Sequence, residues 1–409
     1  MNKDQKITSS RLHKFFYILS LGVLCAFGPL CTDVYLPGLP SICRYFSIDP
    51  ALAQLSLTSC FLGLAAGQIF AGPISDAIGR RKPLIFSVVL FVLASWLCAE
   101  ANGIYSLIFF RFLQGMAGAG GLVMSRAIAC DQFQDHELTR FMSLLMTINS
   151  VAPVLGPIIG SFILTFSTWQ SVFIVLSCFG IILLLLAFTS VPESLEPQKR
   201  QQHIAQTFKG MFVECTNKRF MLYVLSLGAV MGGFFSYLSA SPFVFQVIFS
   251  STPFQYSLIF ALIAISISVT AFVAGRIAPR VGERKMIYAA MSMMIISASA
   301  VLFMAFYLPS SPVPVIIFLM IFCSMMGTCQ TVGFGIVMSS RKGGAGAASG
   351  IFGVMHFFCG ALMTPIPGLM GENSMIPLGL CLTLCAILAM MLFKTADGMR
   401  VKPKESKGN

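Results

Sequence analysis

Charged side chains are scarce in this chain of 409 residues: Asp, Glu, Lys and Arg make up 10% of it, against about 25% in a typical soluble domain. Apolar residues make up 56%, so most of the chain cannot face water, and a soluble enzyme is excluded. At roughly 20 apolar residues for each helical crossing, the length suits about a dozen membrane spans with short loops. No room remains for a folded soluble domain.

Several motifs are also missing. The 13 cysteines contain no CxxC pair and no repeated spacing, so we interpret them as small apolar residues and predict no disulfide and no metal site. No GxxxxGK[ST] phosphate loop occurs, which argues against ATP-driven transport by this chain. The four histidines lie in distant segments without HExxH-type spacing, which disfavours a membrane-embedded enzyme. No cofactor is predicted.

Uninterrupted apolar runs predict twelve transmembrane helices, because a bilayer leaves backbone groups no other partner than their own helix. The start of the chain is polar and basic and runs directly into the first span, so no cleaved signal peptide is expected. The predicted spans cover residues 14–37, 51–73, 83–99, 103–124, 140–165, 170–190, 219–247, 256–275, 286–308, 313–338, 346–369 and 374–394.

The basic residues alternate along this map. Of the 27 Lys and Arg, only Arg44 and Arg111 fall outside the two tails and the loops that follow even-numbered spans. The positive-inside rule therefore predicts that both termini and the 191–218 loop are cytoplasmic, in the inner (cytoplasmic) membrane of a cell. The net charge of +12 then requires no nucleic-acid partner.

The chain contains two related halves. Residues 72–82, GPISDAIGRRK, recur 203 positions later as GRIAPRVGERK at residues 275–285. Each copy occupies the second cytoplasmic loop of a six-helix half, so the halves are parallel repeats with the substrate path between them. The predicted organisation is a tail (1–13), an N-terminal six-helix bundle (14–190), a cytoplasmic linker (191–218), a C-terminal six-helix bundle (219–394) and a second tail (395–409).

The repeated loop resembles a family motif. A Gly followed four residues later by Asp76, and then by Gly-Arg-Arg-Lys, is similar to the loop motif of the major facilitator superfamily. Four further stretches, in order over nearly the whole chain, resemble the Bcr/CflA drug exporters of that superfamily: 33–40, 111–115, 125–131 and 239–244. The resemblance implies the major facilitator fold, two pseudo-symmetric six-helix bundles, and export of small amphipathic compounds in exchange for protons by alternating access. A monomer in the lipid bilayer is expected.

Two ionisable residues inside spans are candidates for proton coupling. Asp33 is the only one of 15 acidic residues within a span, and we interpret it as the proton-binding group; alternatively it is hydrated, or caps a helix at the outer end of the first span. Arg111 resembles the fourth-span arginine of the superfamily. It either pairs with Asp33, in a bond that breaks on protonation, or binds backbone carbonyls. Where some related exporters have a second acid, this chain has Cys25 and Ala26.

His356 lies in the middle of the eleventh span. It is either a second proton-coupling site, since its titration range suits that role, or a hydrogen-bonded packing residue. Another group of residues is expected to form the substrate cavity, where the alternatives are helix packing or contact with lipid. This group comprises Tyr35, Gln114, Tyr237, Ser239 and Ser241.

Small residues and prolines on the fifth span, Pro153, Gly156, Pro157 and Gly160, permit close helix approach and bend the helix. Such packing is common in membranes, but the pattern is also similar to the motif of exporters in the superfamily. That resemblance is the reason to expect export.

The first copy of the repeated loop is expected to form a charge latch that closes the inner side and breaks when the halves rock. Alternatively, its basic residues only determine topology. The chain has Ala77 where the family motif has a basic residue and Pro279 at the position of Asp76 in the second copy, so only the first copy can anchor a latch with that acid. The latch residues are Gly72, Asp76, Gly79, Arg80, Arg81 and Asp131.

The function predicted from these residues is proton-coupled multidrug efflux. The alternative is a dedicated exporter of an endogenous metabolite or siderophore, which clustered polar residues in the cavity would favour. A transport-inactive membrane sensor is a further alternative, because a fold does not guarantee transport.

Overall fold

The computed structural model describes residues 11–200, 204–307 and 310–399, and within these ranges all regular structure is helical. The helices are α1 (Arg11–Cys25), α2 (Phe27–Asp33), α3 (Leu39–Phe46), α4 (Pro50–Ile78), α5 (Arg81–Ala99), α6 (Ile104–Gln132), α7 (Asp135–Phe166), α8 (Trp169–Ser190), α9 (Ile204–Cys215), α10 (Lys218–Phe243), α11 (Pro253–Val281), α12 (Glu283–Tyr307), α13 (Val313–Ser339), α14 (Ala345–Met363) and α15 (Ile376–Gly398).

Eleven described helical stretches are long and apolar enough to cross a membrane, and the bent segment at the start of the chain makes the twelfth. The prediction of an all-α membrane protein with twelve spans is confirmed. The first span is not one continuous helix, because the chain bends by 53° between Cys25 and Phe27. Pro29 explains the break, since it donates no backbone hydrogen bond and its ring clashes with the carbonyl four residues earlier, that of Cys25.

The spans form two six-helix bundles, α1 to α8 and α10 to α15, and α9 lies in the segment between them. In the N-terminal bundle, α4 and α6 are in backbone contact through glycines. A Cβ atom on Gly63 would overlap the carbonyl of Phe112, and one on Gly115 would overlap the carbonyl of Cys60. Small residues therefore set this helix pair at close range, as is usual where apolar lipid provides no drive for helices to associate.

The two bundles are hydrogen-bonded to each other at one end, which carries Pro50 and Pro253 and which we call the outer end after the predicted orientation. Within the described ranges, three hydrogen bonds cross between the bundles, and all lie at this end. Their N···O or O···O distances are 3.2 Å for Gln54 Nε2 to the Ser239 carbonyl, 3.2 Å for Gln246 Nε2 to the Pro37 carbonyl, and 3.0 Å for Ser161 Oγ to Ser257 Oγ. The outer end is thus closed.

The linker helix α9 is fastened to the inner end of the C-terminal bundle. The buried carboxylate of Glu214 accepts hydrogen bonds from the backbone N–H groups of Lys342, at 2.9 Å, and of Gly343. Asn217 Nδ2 donates to the carbonyl of Ser340 at 2.9 Å. The α13–α14 loop therefore holds the end of α9 by charge-assisted and neutral hydrogen bonds.

Candidate functional site

A cavity of about 310 Å³ lies between the two bundles. Its wall is largely apolar and contains six aromatic rings from both halves: Phe61, Phe234, Phe235, Tyr237, Phe260 and Phe357. Six polar side chains interrupt this wall: Thr32, Asp33, Asn149, Ser150, Ser268 and His356. An apolar pocket with a few convergent polar groups is the usual form of a small-molecule site.

Asp33 is the one carboxylate among the lining residues of this cavity. It is the last residue of α2, is 5% exposed, and accepts a hydrogen bond from Thr32 Oγ1 at 3.0 Å. The glycines of α7 allow the segment that carries it to lie this close, because a Cβ on Gly156 would stand 2.9 Å from the Asp33 Cβ and one on Gly160 would overlap the carbonyl of Val34. Pro153, one turn earlier on α7, lines the cavity, and Pro157 lies within the same continuous helix.

Arg111 is fully buried beside the cavity but does not pair with Asp33, for which the described part of the chain provides no ion pair. Its NH1 donates to the carbonyl of Cys31 at 2.8 Å and to Gln114 Oε1 at 2.5 Å, and its guanidinium lies 4.6 Å from the centre of the Tyr35 ring. Because α2 ends at Asp33, the carbonyls of its last turn need partners outside the helix. Arg111 supplies a donor for one of these carbonyls, that of Cys31. In this state Arg111 therefore binds the backbone and not the Asp33 carboxylate.

Four residues expected on the cavity wall lie in the packing between helices instead. The Tyr35 hydroxyl bonds Ser56 Oγ at 2.8 Å, and Gln114 Nε2 donates to Ser95 Oγ at 2.7 Å. The remaining two, both on α10, have their hydroxyls engaged as well: Ser239 donates to the carbonyl of Thr364 at 2.7 Å, and Ser241 lies 3.1 Å from the hydroxyl of Tyr256. A buried polar group in a membrane must find a partner, and these found it on neighbouring helices.

Tyr237 lines the cavity, as expected. His356, predicted as a proton-coupling or packing residue, also lines it, and its ring packs on Phe352 with 4.9 Å between centroids. Sequence reasoning missed Asn149 and Ser150, which α7 places on the same wall. The available signal was weak: Asn149 is one helical turn before Pro153, on the face that the proline shares.

At the inner end of the N-terminal bundle, Arg80 is the centre of a charge cluster. Its guanidinium donates to Asp131 at 2.9 Å, to Asp76 at 2.5 Å and to Ser75 Oγ at 2.7 Å. Burial acts to lower the pKa of the Arg80 guanidinium, but its bonds to Asp131 and Asp76 outweigh that effect and raise the pKa above its usual value. The cluster joins the α4–α5 loop to the end of α6.

The α4–α5 loop has a backbone that glycine alone adopts readily. Gly79 has φ +102°, in the region that favours glycine. Gly72, within α4, is not required by packing, because a Cβ there would meet only Val123 at 4.0 Å. Glu193 accepts hydrogen bonds from the backbone N–H of Arg80 at 2.8 Å and of Arg81 at 3.2 Å. Partial burial acts to raise the pKa of Glu193, but its backbone hydrogen bonds outweigh this and hold the pKa below its usual value.

Arg81 is placed differently from Arg80. Its NH2 donates to the carbonyl of Phe188 at 2.9 Å, so it binds α8 rather than an acid. In the second copy of the loop, Gly282 has φ +98° and Arg284 pairs with Asp397 on α15. The two loops therefore share a backbone turn and differ in their charge partners.

Comparison with known proteins agrees with this architecture. A profile described as Major Facilitator Superfamily matches residues 19–365. The MFS-type transporter YdgK of Bacillus subtilis (strain 168), named as uncharacterised, is 36% identical over 376 residues, which cover 91% of this chain and 93% of that protein. A bicyclomycin resistance protein homologue from Haemophilus influenzae is 26% identical over 399 residues, covering 95% of this chain and 98% of the relative.

Among solved structures, a D-xylose–proton symporter superposes with a TM-score of 0.77 at 14% identity, covering 95% of this chain and 100% of the symporter. At that identity the likeness concerns the fold alone.

Proposed function

This chain belongs to the Major Facilitator Superfamily, and from that membership we propose that it is a proton-coupled exporter of small amphipathic compounds that works by alternating access. The superfamily membership makes it a multi-pass membrane transporter of small molecules. Proton coupling, outward direction and the substrate class are our additions. We further propose that it acts as a monomer in the cytoplasmic membrane, with both termini inside, and that the domain bounds predicted above hold.

The observation that carries the proposal is Asp33, a carboxylate without an ion-pair partner among the described residues, at the wall of an aromatic cavity. A buried carboxylate that is ionised and unpaired is costly in free energy, so either a proton or a cationic or polar substrate must neutralise it. If both ligands use the same carboxylate, binding of one displaces the other. Competition of this kind exchanges substrate for protons, and no separate coupling site is needed.

Alternating access requires two states, and the described one is closed at its outer end by the hydrogen bonds of Gln54, Gln246 and Ser161. We propose that protonation of Asp33 or substrate binding shifts the balance between this state and one open to the outside. The charge cluster of Asp76, Arg80 and Asp131 lies within the N-terminal bundle and is intact in the described state. In the second state we propose that it also meets the C-terminal half and holds the inner side shut. His356, which lines the same cavity from α14, is a second titratable group beside a bound ligand.

Two observations support the substrate class and the direction. The aromatic wall fits lipophilic bodies of varied shape, and a relative at 26% identity is named for resistance to bicyclomycin. The Pro153 to Gly160 segment of α7, which resembles the exporter motif, packs directly on the Asp33 segment. A bend or rotation of α7 would therefore move the carboxylate itself.

The test is accumulation of ethidium in inverted membrane vesicles from an efflux-deficient bacterium, with wild type, Asp33→Asn and Asp49→Asn. Asp49 is exposed and precedes α4 at the outer end, so its variant makes the same chemical change outside the cavity. We expect an uncoupler to stop accumulation by wild type, Asp33→Asn to lower the initial rate by about tenfold or more, and Asp49→Asn to behave as wild type. Full gradient-driven accumulation by Asp33→Asn would refute the proposed coupling.

A further inference from the structure

Two residues that line the cavity each carry a buried polar atom without a hydrogen-bond partner in the described part of the chain: the hydroxyl oxygen of Tyr237 and Oδ1 of Asn149. Both atoms are buried, and the whole Tyr237 side chain is 1% exposed. Asp33, the proposed proton-binding group, lines the same cavity, so hydrogen bonding by these two atoms has to be separated from charge attraction by experiment.

The Ser241 hydroxyl lies near that of Tyr237, but the hydrogen bonds of good geometry that it makes are to other groups. Ser241 Oγ, four residues further along α10, is 3.1 Å from the Tyr256 hydroxyl and 3.3 Å from the carbonyl of Leu238. By contrast, most other polar groups on α10 have partners within the protein, including Ser236 and Ser239. The two unpartnered atoms are thus exceptions at the cavity wall.

A buried donor or acceptor left without a partner costs about 1–3 kcal/mol. The natural partner for a group at the wall of a binding cavity is the ligand, or water that the ligand replaces. A ligand that cannot form hydrogen bonds would displace such water without replacing its hydrogen bonds, so the site binds that ligand less tightly. This is the physical basis on which a site built for hydrogen bonding rejects analogues that lack the group.

Resting on the proposed function, we infer that Asn149 and Tyr237 are specificity-determining residues that hydrogen-bond the substrate. Asn149 Oδ1 accepts from an N–H or O–H of the ligand, and the Tyr237 hydroxyl donates to, or accepts from, a second polar group. The preferred substrates are aromatic or apolar compounds that carry amino or hydroxyl groups, rather than purely hydrocarbon cations. Because Asn149 is on α7 and Tyr237 on α10, a ligand bound to both joins the two bundles.

Two lipophilic monocations separate this inference from simple charge attraction. Ethidium carries two primary amino groups on an aromatic body, whereas tetraphenylphosphonium carries no hydrogen-bond donor. Binding of each to the purified full-length protein in lipid nanodiscs is measured by equilibrium dialysis, without any proton gradient. The quantity compared between variants is the ratio of the ethidium Kd to the tetraphenylphosphonium Kd.

Tyr237→Phe and Asn149→Leu should each raise that ratio about three- to tenfold, the effect of losing one neutral hydrogen bond. The matched control is Tyr223→Phe, the same change on the same helix, where the hydroxyl bonds Asp397 at 3.1 Å far from the cavity wall. It should leave the ratio at the wild-type value. Thermal stability of all variants is measured in parallel, so that a folding defect is seen as a loss for both cations.

An unchanged ratio in both cavity variants would overturn the inference, as would an equal loss of affinity for the two cations. A wild-type protein that binds neither cation would overturn both the inference and the proposed substrate class. A wild type that binds with the expected ratios but moves no ethidium in energised vesicles would leave the inference standing and refute only proton-coupled export. The two proposals thus fail in different measurements.

Discussion

The two copies of the inner loop share a backbone and differ in charge. Gly79 and Gly282 occupy equivalent positions with φ +102° and +98°, and each ends a long helix. Around the first, Arg80 binds two carboxylates from α4 and α6. Around the second, the equivalent of Asp76 is Pro279, and the nearby ion pair joins α12 to α15 instead.

This difference separates what the fold needs from what the transport cycle needs. A helix that must reverse into the next one at the membrane surface needs glycine in either half, because a side chain is strained at that φ. The acid–arginine cluster is required in neither half for the turn itself. We propose that the two-acid cluster, which the described residues form in the N-terminal half where Asp33 also lies, has a role in coupling, and that the C-terminal half supplies mainly uncharged cavity wall.

The largest effect should follow from removing an acid of the cluster. Asp131→Asn replaces one of the two carboxylates that bind Arg80 by a neutral amide. This change should lower the rate of gradient-driven transport by about tenfold or more. The equivalent change in the other half, Asp397→Asn, should lower it by about twofold or less, since we assign the Arg284 pair to packing. Ethidium accumulation in inverted vesicles at matched expression compares the two. Equal losses in both halves would contradict the division of roles.

The two glycines should differ in their effect on stability. Gly282→Ala should destabilise the protein by about 1 kcal/mol, the cost of a side chain at positive φ, because a Cβ there meets nothing within 4 Å. Gly79→Ala should cost more, about 2–3 kcal/mol, because the new Cβ would stand 2.5 Å from the Glu193 carboxylate and displace it from its backbone bonds. Melting temperatures in the same detergent measure the difference. A smaller shift for Gly79→Ala would show that Glu193 is not fixed in place.

The smallest effect should appear as a pH dependence in the first loop. The pKa of Glu193 is lower in the folded protein than its usual 4.5, so its contribution to stability is present above that value and is lost as the pH falls through the folded pKa. The melting temperature of wild type should exceed that of Glu193→Gln at pH 6, and the two should converge once the pH falls below the folded pKa of Glu193. A difference that does not change with pH would mean that the carboxylate acts only by its shape.

The number of spans could be predicted from the sequence because two independent signals agree. Hydropathy gives the number of spans and the alternation of basic residues fixes their order, so an error in one would disturb the other. The resemblance to the Bcr/CflA exporters, made on residues such as Asp33 and Asp76, is confirmed by the superfamily profile and the bicyclomycin resistance relative. Hydropathy could not give full helix lengths, since α6 runs past the apolar stretch to Gln132.

The cavity wall could be predicted only in part. Tyr35 and Gln114 were assigned to it because they are polar and lie within spans, but polarity does not tell which neighbour a side chain meets. That depends on the rotation of each helix within its bundle, which packing sets. Asn149 was missed for the same reason. The 38 phenylalanines add to the difficulty, because the sequence alone does not distinguish a Phe on a cavity wall from one in a helix interface or one that contacts lipid.

The most direct test of the account is to record protons that move with substrate through Asp33. Purified wild type and Asp33→Asn are placed in liposomes that enclose a pH-sensitive dye, and an ethidium gradient is imposed with no pH gradient present. The account predicts that wild type moves protons against the ethidium flux and that Asp33→Asn moves none. Proton movement in Asp33→Asn equal to that of wild type would contradict the claim that this carboxylate couples transport to protons.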